Sequence, residues 1–138
     1  MDNIVNWIRV FFTGIGGLLG AFLGGWDGFL YALTAFVVVD YLTGIMAAFV
    51  KKELSSEIGF KGICRKVFIF MLVGIGHIID TKLIGEGGVV RTAVIFFYVS
   101  NEGISIIENA AIIGLPVPQK LKDVLAQLKG GDDNENHS

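Results

Sequence analysis

Charges in this chain are gathered into clusters, and the stretches between clusters are as long as a membrane is thick. Val10 to Trp26 holds no charged residue, and Gly28 to Val50 holds one, Asp40. Val67 to Ile84 holds His77, with Asp80 and Lys82 near its far end; Val89 to Leu115 holds Arg91, Glu102 and Glu108. A helix needs about 20 residues, within a range of roughly 17–25, to cross the hydrocarbon. Only a structure that bonds its own backbone groups survives there. The spacing therefore predicts an all-α integral membrane bundle, with helices at about 8–25, 28–50, 67–84 and 90–113.

Composition excludes the main rivals. The chain is 53% hydrophobic and 17% charged, against roughly 45–50% and about 25% in soluble domains. Disorder, a collagen-like repeat and a disulfide scaffold are ruled out, since Cys64 is the single cysteine. A net charge of -2 gives no reason to expect nucleic acid. One domain, 1–129, is expected, followed by a polar, disordered tail over 130–138.

The first segment carries two further readings. As a signal peptide it is poor: its one basic residue, Arg9, is balanced by Asp2, and Gly24-Gly25-Trp26-Asp27-Gly28 is no A-x-A site. As an interfacial helix it would leave three spans instead of four, so three to four transmembrane helices are expected. Orientation follows Lys and Arg in short loops. Residues 51–66 hold Lys51, Lys52, Lys61, Arg65 and Lys66, and the tail holds Lys120, Lys122 and Lys129. The basic loop 51–66 and the C-terminus should face the cytoplasm, with the N-terminus cytoplasmic for four spans and outside for three. Cys64 then sits on the reducing side. The same lysines and arginines can hold anionic headgroups.

Pro116-Val117-Pro118 stops the last span. Residues 119–129 read as a short C-terminal amphipathic helix with Leu121, Val124, Leu125 and Leu128 on one face. Gly16, Gly20, Gly24 and Gly28 recur every four residues and are expected to form a helix-packing ridge. They do not make a nucleotide loop, because Gly14-Ile15-Gly16-Gly17-Leu18-Leu19-Gly20 misses G-x-G-x-x-G and follows no strand.

The fourth helix bears the strongest physical signal. Arg91, Tyr98, Asn101/Glu102, Ser105 and Glu108/Asn109 recur at three- to four-residue steps and form a stripe. Twelve Val, Ile and Phe residues between Val89 and Ile113 favour insertion by roughly 5 kcal/mol in total. Glu102 opposes by up to about 3 kcal/mol, and Glu108 and Asn101 add to that. The stripe should thus face other helices, other subunits or water. Asp40, mid-way along the second helix, carries a similar penalty; it either fixes packing by an interhelical hydrogen bond or lines a pore. His77 and Asp80 stand one turn apart, but His137 lies in the tail and nothing completes a metal site. An ion-paired or boundary-facing pair is expected. No catalytic residue, cofactor or metal is expected: the chain lacks Cys-His or Ser-His-Asp logic, a Walker loop and a phosphate-binding segment.

Two blocks carry a family resemblance. One is Asp40-Tyr41-Leu42-Thr43-Gly44 with Lys51-Lys52-Glu53-Leu54-Ser55-Ser56, Gly59, Gly62 and Lys66. The other is Asn101-Glu102-Gly103-Ile104-Ser105-Ile106-Ile107-Glu108-Asn109, then Gly114-Leu115-Pro116-Val117-Pro118 and Leu121. In this order, across roughly residues 28–128, they resemble the bacteriophage holin family, which includes clostridial toxin-secretion holins. The resemblance implies a non-enzymatic protein of the host cytoplasmic membrane, with three or so spans. It would oligomerise with itself in the bilayer and open lesions. Through these an endolysin, or in relatives a toxin, passes without required direct contact; an antiholin is a further implied partner. Asp40, Asn101, Glu102, Ser105, Glu108 and Asn109 are then the candidates to face the oligomer or pore. An antiholin, a small channel, a transporter and a membrane kinase are the competing functions.

Overall fold

A computed structural model describes residues 2–85 and 87–130, so the expected disorder of the tail lies, from Gly131 on, outside the described residues. The described chain is helical: α1 (Asp2–Leu23), α2 (Gly28–Val50), α3 (Ser56–Ile78) continued by a π turn (Ile79–Ile84), α4 (Val89–Ile113) and α5 (Gln119–Gly130). Four of these helices, α1, α2, α3 with its π turn, and α4, are long and apolar enough to cross a membrane. The protein is a helical membrane bundle.

Local chemistry sets the ends. α1 begins at Asp2 and stops at Leu23, not at 25, because Gly24 (φ 90°) and Gly25 (φ 104°) turn the chain in the left-handed region. Trp26 then lies back along α1, its Nε1 donating to the carbonyl of Gly16 at 3.1 Å. The Asp27 carboxylate accepts from the amide of Leu30 and starts α2. Ser55 does the same for α3, accepting from the amide of Ile58 at 3.2 Å. That cap explains why α3 starts at Ser56 rather than at 67. The charged stretch expected as a loop is capped and free of proline, so it winds into helix from residue 56 on. From Ser56 to Ile84 the helical run has 29 residues, about 43 Å, longer than the ~30 Å hydrocarbon.

α4 is the centre of the bundle. It packs mainly along α2, with α3 against its other side and α5 folded back on it. Leu30, Leu33 and Val37 of α2, Ile69 and Val73 of α3, and Ile95 and Val99 of α4 form the apolar core, joined by Leu23. α1 stands apart, with only Gly20 and Leu23 buried. It is held at its last turn, where the Phe22 ring covers Gly74 so closely that an added Cβ would clash with its carbons.

At Gly76 α3 meets the backbone of α4: an added Cβ would lie 3.1 Å from the Cα of Arg91 and 3.2 Å from its amide nitrogen. Backbone cannot swing away as a side chain can. Gly76→Val should lower thermal stability in detergent by about 1–3 kcal/mol through overpacking. Gly14→Ala, with nothing within 4 Å of the new methyl, should leave it unchanged. Equal melting of the two variants would show that α3 and α4 do not meet there.

Candidate functional site

The costly charges of the three core helices meet each other. The Nζ of Lys66 on α3 stands 2.6 Å from Oδ2 of Asp40 on α2 and 2.7 Å from Oε2 of Glu102 on α4. Asp40 lies twelve residues past Gly28 and Glu102 thirteen past Val89, so the cluster is near mid-span. The side chains are 17%, 10% and 9% exposed for Lys66, Asp40 and Glu102. One ammonium between two carboxylates offsets part of the cost that each charge carries alone in hydrocarbon.

Polar neighbours complete the arrangement. Nδ2 of Asn109 donates to Oδ1 of Asp40 at 3.2 Å and to the Thr43 hydroxyl at 3.0 Å. That hydroxyl donates in turn to the carbonyl of Val39 at 2.8 Å. A cavity of about 450 Å³ opens beside the cluster, lined among others by Arg65, Tyr98, Asn101 and Ser105. Among the described residues no buried side-chain polar atom lacks a partner.

A second cluster ties the opposite end of the bundle, where α1 turns into α2 and α4 begins. Gly88, before α4, offers no side-chain cap. Instead Asp80, on the π turn, accepts from the amides of Val90 and Arg91, both at 2.9 Å. Arg91 is buried and reaches the α1–α2 turn. Its Nε donates to the carbonyl of Leu23, one terminal nitrogen to Oδ2 of Asp27 at 2.8 Å, and the other to the carbonyl of Gly25 at 2.9 Å. The Arg91 hydrogen bond holds the Asp27 carboxyl below the ordinary aspartate value of 3.8.

The residues singled out in the sequence separate accordingly. Arg91, Tyr98, Glu102, Ser105 and Asn109 recur at seven, four, three and four residues and turn inward. Asn101 is half-buried on the cavity wall. Glu108 is exposed, because six residues from Glu102 carry it about a third of a turn away. The glycines do not share one helix face. Gly20 lies under the Trp26 indole, Gly24 sits beyond the helix against His77 and Arg91, and Gly28 opens α2. A methyl at Gly16 or Gly28 would meet nothing within 4 Å. Lys51 and Lys52 occupy the turn after α2, Lys61 and Arg65 are exposed on α3, and Lys66 is not on the surface with them.

Asp80 is not paired with His77; it is buried and caps α4. Among the described residues no group of three or more His, Cys, Asp or Glu could hold a metal ion. Sequence reasoning missed the role of Lys66, grouping it with the loop cations. The available signal was that two intramembrane carboxylates need a cation, and Lys66 is the basic residue that directly precedes the apolar run. It also missed the Arg91–Asp27 pair.

A family described as the bacteriophage holin family matches residues 17–130. An uncharacterized 14.9 kDa protein encoded in the nagH 3' region of Clostridium perfringens is 41% identical over 128 residues, 93% of this chain and 97% of that protein. An uncharacterized Listeria innocua protein is 41% identical over 132 residues, 94% of each chain. A probable holin of Bacillus phage phi105 is 34% identical over 115 residues, 83% of this chain and 84% of the phage protein. No solved structure matches.

Proposed function

Because this chain belongs to the bacteriophage holin family, we propose that it gathers in the cytoplasmic membrane and opens lesions that release an endolysin, or a toxin, to the cell wall. The observation that carries the reading is the Lys66–Asp40–Glu102 cluster shared by three helices. With these charges closed on one another, α2, α3 and α4 keep them from lipid, and the chain inserts quietly. Mid-span polar groups are also the groups that gain most when lipid is replaced by water or by other chains. As copies gather, Asn101 and Ser105 on the cavity wall, and then the cluster itself, exchange their partners within the chain for water.

The orientation that goes with this reading puts Lys51, Lys52, the first turns of α3 with Lys61, and the C-terminus on the cytoplasmic side, and the first residue with them across four spans. The partners are the bilayer, further copies of the chain and an endolysin that needs no direct contact; an antiholin would act on the assembly. The action is non-enzymatic.

Controlled expression in a bacterium tests it. Growth should stop and membrane potential collapse abruptly after a delay, and co-expressed cytoplasmic endolysin should then lyse the cells. Depolarisation without release of protein-sized cargo would make the chain a selective channel. Postponement of lysis by another holin, with none of its own, would make it an antiholin.

A further inference from the structure

The C-terminal helix lies at a depth that its surface chemistry does not suit. Gly114 (φ 96°) ends α4, the Pro116-Val117-Pro118 turn reverses the chain, and α5 runs back along α4. Leu125 is buried, and a Cβ at Gly103 would lie 2.7 Å from one of its methyls, with the Phe36 ring at 3.2 Å. Gly103 is ten residues before Ile113, about 15 Å up the helix, and directly follows Glu102 of the ion cluster. Leu125 is thus docked near mid-span.

The opposite face of α5 is polar. Lys122, Asp123 and Gln127 are exposed, and all stand within about 5 Å of the level of Leu125 along the helix. Leu121, Val124 and Leu128, on the apolar face, stay 45–46% exposed. Surrounded by lipid, this position would place two charges and an amide in hydrocarbon with most of the apolar face unused. Lying instead at the cytoplasmic surface, α5 would bury all four apolar residues among acyl chains and keep its lysines among headgroups. The docked position is favoured only where water reaches the polar face.

The geometry points to α5 as a two-position element: it lies on the cytoplasmic surface before the membrane opens, and docks through Leu125 on Gly103 to line the wetted opening with Lys122, Asp123 and Gln127. This rests on the lesion-forming reading above. The five-residue Gly114–Pro118 hinge, with no helix to melt, lets α5 change position without disturbing the α2–α3–α4 core.

Cross-linking tests it in living cells. A Cys64→Ser chain carrying Gly103→Cys and Leu125→Cys is expressed with an endolysin, and a short membrane-permeant bismaleimide is added at intervals. Replacing leucine by cysteine makes the room that the new side chain at 103 needs. The cross-link within one chain should be absent while membrane potential holds and should form at its collapse. Equal cross-linking before collapse, or none after it, in cells that do lyse, overturns the α5 assignment alone. Cells that never depolarise overturn the lesion reading and this inference with it. As a second measure, Leu125→Asp changes a residue outside the apolar cluster that α2, α3 and α4 share, so the protein should reach the membrane in normal amount with collapse delayed or lost. Unchanged timing overturns the inference.

Discussion

Lys66→Met should all but abolish accumulation of the protein in the membrane. The substitution keeps the length of the side chain but leaves Asp40 and Glu102, each about a tenth exposed, with no cation between them. Breaking a buried pair by removing one partner costs about 3–5 kcal/mol, because the remaining charge has lost its compensation without regaining water. Here two carboxylates are left, and they repel each other. That loss is comparable with the whole stability of a small domain. Removing all three charges together, as Asp40→Asn, Lys66→Met and Glu102→Gln, should restore accumulation, since an uncharged set of similar shape owes no such penalty. The amount in the membrane fraction and the melting temperature in detergent are the measurements. A single Lys66→Met protein as abundant and as stable as the parent would mean that the three groups do not depend on one another. The restored triple variant also carries functional information: if the charges assist wetting, membrane potential should collapse later than with the parent chain at equal abundance.

Arg91→Leu should have the next largest effect, about 2–3 kcal/mol, and at the other end of the bundle. It removes the donors that hold the carbonyls of Leu23 and Gly25 and the carboxylate of Asp27, and hydrogen bonds to charged groups are worth about 1.5–3 kcal/mol each. The total stays below that for Lys66 because the Asp27 side chain is 44% exposed and water takes over part of the work. Arg91→Lys should restore little, since one ammonium cannot reach three acceptors spread along a turn. The consequence is regional: α1 is held by its last turn, so it should come loose while α2, α3 and α4 stay packed. Protease cutting at 24–27 in detergent would report this, and an uncut Arg91→Leu protein would refute it. Acidification should reproduce a weaker version. The Asp27 carboxyl titrates below its ordinary 3.8, so its contribution is complete above that value. It is lost as pH falls through the lower folded value.

The two sites differ in how far each could be read before folding. Apolar runs bounded by charges mark spans directly, and the second and fourth helices, read at 28–50 and 90–113, run Gly28–Val50 and Val89–Ile113. Residues 51–66 mislead because charge density signals exposure, and exposed helix and exposed loop look alike by that measure. The cap at Ser55 decides between them. Glycine spacing misleads for a different reason. Gly16, Gly20, Gly24 and Gly28 share a face only if one helix runs through all four, and two left-handed residues at 24 and 25 end it.

Length, hydropathy and charge position by themselves determined that this chain is a helical membrane protein and that α4 carries a polar stripe lipid would reject. Those properties depend on single residues meeting solvent, and each residue states its own preference. Which polar group answers which was decided by the tertiary structure alone. Lys66 is 26 residues from Asp40 and 36 from Glu102, and Arg91 is 64 from Asp27. Pairing at such separations depends on how the helices rotate and how far each slides along its neighbours. These are set by the packing of side chains such as Leu33, Val73 and Ile95, not by any local pattern.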